Sequence, residues 1–133
     1  MKRSGILNRD ISRVLSSMGH TDTLAIADCG LPVPSGVECI DLALCFGEPR
    51  FIRTLELVLA DMKVEKVILA EETAEHNPTI FAQIQELFAG QSVAVECVSH
   101  EQLKAHTRDC RAVIRTGEAT PYANIILQSA CIF

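Results

Sequence analysis

The sequence predicts an α/β fold, a layered sandwich with flanking helices around a largely parallel central sheet of about six strands. Three observations carry this reading. Stretches with apolar residues at helical spacing alternate with short extended stretches for most of the length. The run Leu24-Ala25-Ile26-Ala27 lacks polar alternation, as strands do when a parallel sheet buries both their faces. The chain has 133 residues, 48% of them hydrophobic, which suits one domain over 1–133 with a substantial core.

Each element has its own signal. Asn8 can cap a first helix over 9–18, where Ile11, Val14, Leu15 and Met18 share a face. Gly19 suits a left-handed position just past that helix. A strand over 23–27 ends at Asp28-Cys29-Gly30, and Pro32 and Pro34 stiffen the loop that follows. Residues 37–44 suit a second strand. Gly47-Glu48-Pro49 opens a helix whose apolar face runs from Phe51 to Met62. A third strand over 66–70 ends in Glu71-Glu72, read as a solvated strand end. Asn77-Pro78 starts another helix, with Ile80, Ile84 and Phe88 inside and Gly90 closing it. A fourth strand covers 93–98. Ser99 and Gln102 then form a capping box for a short helix. Strands over 112–115 and 124–127 flank a loop at 116–121.

The totals exclude several classes. A net charge of −5 with no Lys/Arg cluster disfavours nucleic acid and anionic membranes as partners. The N-terminus leads into a polar helix rather than a signal core, and no apolar run approaches the ~18 residues of a membrane span. The six cysteines form no C-x-x-C pair, so the expectation is a cytoplasmic protein with reduced, mostly buried thiols and no zinc site. G-x-G-x-x-G, Walker and G-x-S-x-G motifs are absent, which disfavours dinucleotide, P-loop and α/β-hydrolase chemistry. His100 and His106 stand about 120° apart on a helix and share no face for a metal. His76 and His106 read as surface residues.

Acid–base chemistry or simple binding remains. Histidine can give and take a proton near neutral pH, and His20 sits in a turn, where it serves equally as a surface residue. Asp28, His100 and the 116–122 loop all follow strands, where ligands gather in such sheets. His100 lies at a helix N-terminus, which favours a neutral ring. Tyr122 and Asn124 bracket Ala123 and share a face if the chain is extended there. His20 and Asp28 lie at opposite ends of one strand that rises about 3.3 Å per residue. Both can serve one site only if a neighbouring chain or a folded-back loop joins them.

The particular strings go further. Gly5-Ile6-Leu7-Asn8, Gly19-His20-Thr21-Asp22, Asp28-Cys29-Gly30-Leu31-Pro32-Val33-Pro34, Ala112-Val113-Ile114-Arg115-Thr116-Gly117-Glu118 and Thr120-Pro121-Tyr122-Ala123-Asn124-Ile125-Ile126-Leu127 occur in that order. Together they closely resemble the ribose pyranase/fucose mutarotase family, its ribose branch more than its fucose branch, from the N-terminus to the last strand. The resemblance implies a cofactor-free, metal-free sugar isomerase that interconverts the pyranose and furanose forms, and the anomers, of D-ribose. It implies a homo-oligomer, a decamer of two stacked pentameric rings, with sites at subunit boundaries. Carried over by position, His20 matches the proton donor, and Asp28, His100, Tyr122, Ala123 and Asn124 match the sugar-binding positions. Cys29 departs from the alanine expected there. The alternatives are a fucose-type mutarotase and a non-catalytic sugar-binding subunit of a ribose uptake system.

Overall fold

In a computed structural model describing residues Met1–Phe133, Asn8 caps α1 (Arg9–Ser17) through Oδ1, which accepts from the N–H groups of Asp10 and Ile11. Ile11 and Val14, one turn apart, are its buried residues. The exit differs from the expected left-handed glycine. Met18 is extended, the N–H of Gly19 donates to Asp22 Oδ2 at 2.8 Å, and the left-handed residue of the turn is Thr21, with φ 69°.

The strands are β1 (Thr23–Ala27), β2 (Glu38–Asp41), β3 (Val64–Ala70), β4 (Ala94–Val98), β5 (Ala112–Arg115) and β6 (Ile125–Ser129). They form one sheet in the order β2-β5-β1-β6-β3-β4. β6 runs antiparallel to β1 and β3, and the other pairs are parallel. The cause is loop length. A parallel crossover takes roughly a dozen residues or more. The 116–124 loop is shorter and holds no helix, so the chain turns back and enters β6 from the edge where β5 ended. That reversal sets the site, because it places residues 122–124 beside the exit of β1.

Alternation along the strands divides the interior into two layers. Leu24 and Ile26 of β1, Val67 and Leu69 of β3, and Ile125 and Leu127 of β6 face the larger core. That layer is closed by α1, α2 (Phe51–Asp61) and α4 (Pro78–Phe88) through Val14, Phe51, Leu55 and Ile84. Burying each such side chain contributes about 1.5–3 kcal/mol. Ala25, Ala27, Ile68 and Ala70 face a thinner layer under Leu31 and Leu103, the latter on α5 (His100–His106). Short alanines on this face let the covering segments approach the sheet.

Three further details differ from the sequence reading. The second strand is shorter than 37–44. Glu71 and Glu72 do not end a strand in solvent: they open α3 (Glu71–His76), which stops where Asn77 breaks to φ −142° and caps α4. The cysteines are all free, but only Cys110 is buried. Cys39 and Cys97 sit on the edge strands β2 and β4, and Cys45 lies in an exposed loop, so these three thiols stay outside the core even though Ile40, next to Cys39, is part of it.

Candidate active site

The polar residues gather at the edge where β1 ends and β6 begins. Asp28 is the first residue after β1 and Asn124 the last before β6. Ile26 pairs with Ile125, so antiparallel pairing brings the two polar residues side by side. Asn124 is 1% exposed. Its Oδ1 accepts from the Asp28 N–H at 3.0 Å, and its Nδ2 donates to Asp28 Oδ2 at 2.8 Å. The N–H of Gly30 donates to Asp28 Oδ1 at 2.9 Å. Both carboxylate oxygens are thus held in place, and an ionised carboxylate still has lone pairs free for further donors.

Tyr122 is left-handed, with φ 56°, so it does not share an extended face with Asn124 as expected. This conformation costs on the order of 1–2 kcal/mol for an L-residue. It is held by the Tyr122 carbonyl, which accepts from Thr73 Oγ1 at 2.9 Å and from the Asn124 N–H at 2.9 Å. The phenol ring lies between two imidazoles. His100 meets it edge-on at 5.0 Å between centroids, and His76 tilts against it at 5.4 Å. Ala123, between Tyr122 and Asn124 in the chain, is fully buried and offers the site only backbone.

His100 is the first residue of α5, behind a complete Ser99–Gln102 capping box. Its N–H donates to Glu72 Oε2 at 2.9 Å, and its Nδ1 is buried with no hydrogen-bond partner. An unsatisfied buried polar atom costs about 1–3 kcal/mol. Helix α3 therefore supports the site twice, through Glu72 under His100 and Thr73 under Tyr122. Sequence reasoning missed these two residues and the contact of His76. The signal was present: an acidic pair after a strand, stopped by Asn77-Pro78, fits a short helix. Asn77 adds a third tie, since Nδ2 donates to Thr120 Oγ1 at 2.9 Å and to the Pro121 carbonyl at 2.8 Å.

His20 occupies the opposite edge of the sheet. It precedes β1, whose five residues alone extend about 16 Å, and its half-exposed ring cannot reach Asp28 within the chain. Its Nε2 lies 3.0 and 3.2 Å from the two carboxylate oxygens of Glu65. Gln128 Nε2 donates to Glu65 Oε1 at 2.7 Å. The His20 ring, and then the Gln128 amide, hold the Glu65 carboxyl below the usual carboxylate range. The structure thus assembles Asp28, His100, Tyr122 and Asn124 and leaves His20 apart from them. The four assembled side chains do not line the concavity of about 590 Å³ beside Arg50, Arg53 and Glu118.

An open α/β sheet with a carboxylate, an amide, a phenol and an imidazole gathered at one strand-end edge defines the class, and comparison with known proteins defines the family. The chain belongs to the RbsD / FucU transport protein family, whose sequence pattern matches residues 1–132. A Chromobacterium violaceum protein named D-ribose pyranase is 54% identical over 133 residues, the whole of both chains. The structure of Bacillus subtilis RbsD complexed with D-ribose superposes with a TM-score of 0.96 at 48% identity, over 100% of each chain. The fucose mutarotase of Streptococcus pneumoniae, solved with L-fucose, superposes with a TM-score of 0.81 at 22% identity over 96% of this chain and 95% of its own, a likeness of fold alone.

Proposed function

We propose that this protein is an isomerase acting on D-ribose, interconverting its pyranose and furanose forms and its anomers. One observation carries the reading: the doubly held Asp28 carboxylate, buried Asn124, His100 and Tyr122 stand preassembled in a chain half identical, end to end, to a protein named D-ribose pyranase. A carboxylate, an amide and an imidazole with free hydrogen-bonding capacity suit vicinal hydroxyls. The backbone around Ala123 adds fixed groups.

Ring opening breaks the bond between the anomeric carbon and the ring oxygen. The ring oxygen must gain a proton while the anomeric hydroxyl loses one to water, leaving the open-chain aldehyde. Attack by a different hydroxyl, with the proton movements reversed, closes the furanose. His20 gives the proton to the ring oxygen, while Asp28, His100, Tyr122 and Asn124 hold the sugar. One positioned acid or base is typically worth 10²–10⁴-fold. The sheet separates His20 from Asp28, so the site is composite: a neighbouring copy brings its His20 edge to the Asp28 edge. The decamer of two pentameric rings supplies such boundaries, and exposed Leu44, Phe46, Leu57 and Val95 offer apolar surface for them. We place the protein in the cytoplasm, where its free cysteines stay reduced. No helix is long and apolar enough to cross a membrane.

Saturation-transfer NMR on a panel of monosaccharides tests the substrate. Faster exchange between the cyclic forms of D-ribose is expected. Faster exchange for L-fucose alone, or ribose binding without faster exchange, would overturn the reading.

A further inference from the structure

A β-bulge lies where His20 meets the sheet. Val64 pairs with Ser129 but Lys66 pairs with Gln128, so β3 takes two steps where β6 takes one. Glu65 is the extra residue. A bulge leaves one residue outside the regular alternation and re-aims its side chain. Here the Glu65 carboxylate reaches Gln128 on β6 and the His20 ring in the turn before β1. The same part of β6 holds that turn by its backbone. The Thr21 N–H donates to the Ser129 carbonyl at 3.0 Å, and the Ser129 N–H donates to the Asp22 carbonyl at 2.9 Å.

Stability does not account for this arrangement. Half-exposed ion pairs contribute little, and ordering long side chains costs conformational entropy. Its chemical consequence is definite. An ionised carboxylate only accepts hydrogen bonds, so the hydrogen of a neutral His20 ring stands on Nε2. Nδ1 is then the one nitrogen able to exchange a proton, and it makes no hydrogen bond within the chain.

We propose that Glu65, locked by Gln128, is the positioning residue that fixes the orientation and tautomer of His20, so that Nδ1 is the atom that delivers the proton. This rests on His20 being the acid of the proposed reaction. The proton leaves Nδ1 for the ring oxygen, and the neutral ring keeps its Nε2 hydrogen on Glu65. Reclosure of the sugar returns a proton to Nδ1. Strand β6 thereby serves both edges, with Asn124 just before one end and Gln128 near the other.

The test compares ribose ring exchange in the full-length wild type with Glu65→Gln, Glu65→Asp, His20→Ala and the His20→Ala/Glu65→Gln double variant. Native assembly of each is checked by circular dichroism and size. Glu65→Gln keeps the shape but lets an amide either donate to or accept from Nε2. Exchange should fall about 10²-fold, the order that misplacing a reacting group costs. Glu65→Asp should restore part of the loss, and the double variant should be no slower than His20→Ala alone. Ring nitrogen NMR should show the neutral wild-type His20 hydrogen on Nε2 and a mixture of tautomers in Glu65→Gln. Wild-type exchange and wild-type ring signals in Glu65→Gln would overturn the proposal, as would an equal loss when that change is added to His20→Ala. A His20→Ala variant at the wild-type rate would instead remove the acid assignment, and the positioning role with it.

Discussion

Replacing Asn124 by aspartate probes the centre of the assembled cluster. The side chain keeps its size and its acceptor oxygen, but the Nδ2 group that donates to Asp28 Oδ2 at 2.8 Å becomes a second carboxylate oxygen. Asn124 is 1% exposed, so water screens the pair poorly. Two unit charges about 4 Å apart repel by about 4 kcal/mol at an effective dielectric constant near 20. Protonating one ordinary carboxyl at pH 7 costs a similar amount, at about 1.4 kcal/mol for each pH unit above its usual value near 4. The folded variant therefore binds a proton that its unfolded chain lacks between pH 5 and 7. Its penalty must shrink as pH falls, because the folded state then takes up that proton more cheaply. Relative to wild type, Asn124→Asp should lose about 4 kcal/mol at pH 7 and about 1–2 kcal/mol at pH 5. Urea unfolding of both proteins at one concentration, followed by circular dichroism at pH 5, 6 and 7, reads this directly. A penalty that is flat with pH, or that grows on acidification, would refute the reasoning.

Two predictions concern the frame around the site. A methyl group at Gly117 would clash with the carbonyl oxygens of Glu48 and Cys45, and backbone cannot swing away. Gly117→Ala should cost about 1–3 kcal/mol or more, read as a lowered unfolding midpoint; an unchanged midpoint would show that the 45–49 loop does not clamp this position. Burial pushes the Cys110 thiol up to about 11, so at pH 8 only about one molecule in 10³ carries the thiolate. Cys110 should resist alkylation in the native protein and react on unfolding, and mass spectrometry showing native modification would contradict its burial.

The parts of the fold legible in sequence are those with local signals. Asn8, Ser99 with Gln102, and Asn77-Pro78 mark helix starts because a cap needs a particular side chain at a particular offset. The assembled cluster was legible in part because Asp28, His100 and Asn124 all lie next to strand ends. What stayed hidden depends on pairings distant in sequence. The antiparallel direction of β6 follows from loop length and decides that Asn124 meets Asp28 across 96 positions. Left-handed Tyr122 and Thr21 are set by tertiary hydrogen bonds, which outweigh the preference for glycine at such positions. The Glu65 bulge exists only as a mismatch between two strand registers, so residue 65 alone gave no sign of it.

The proposed catalysis requires His20 and Asp28 to meet across a boundary between copies. His20→Ala and Asp28→Ala variants each remove one half of every site, so each alone should leave ribose exchange near its uncatalysed rate. Unfolding the two together and refolding them into mixed assemblies should restore activity at roughly a quarter of the boundaries, those where an intact His20 faces an intact Asp28 from its neighbour. Saturation-transfer NMR on D-ribose measures the recovery. A mixture that exchanges ribose no faster than its two components measured apart would contradict the composite site.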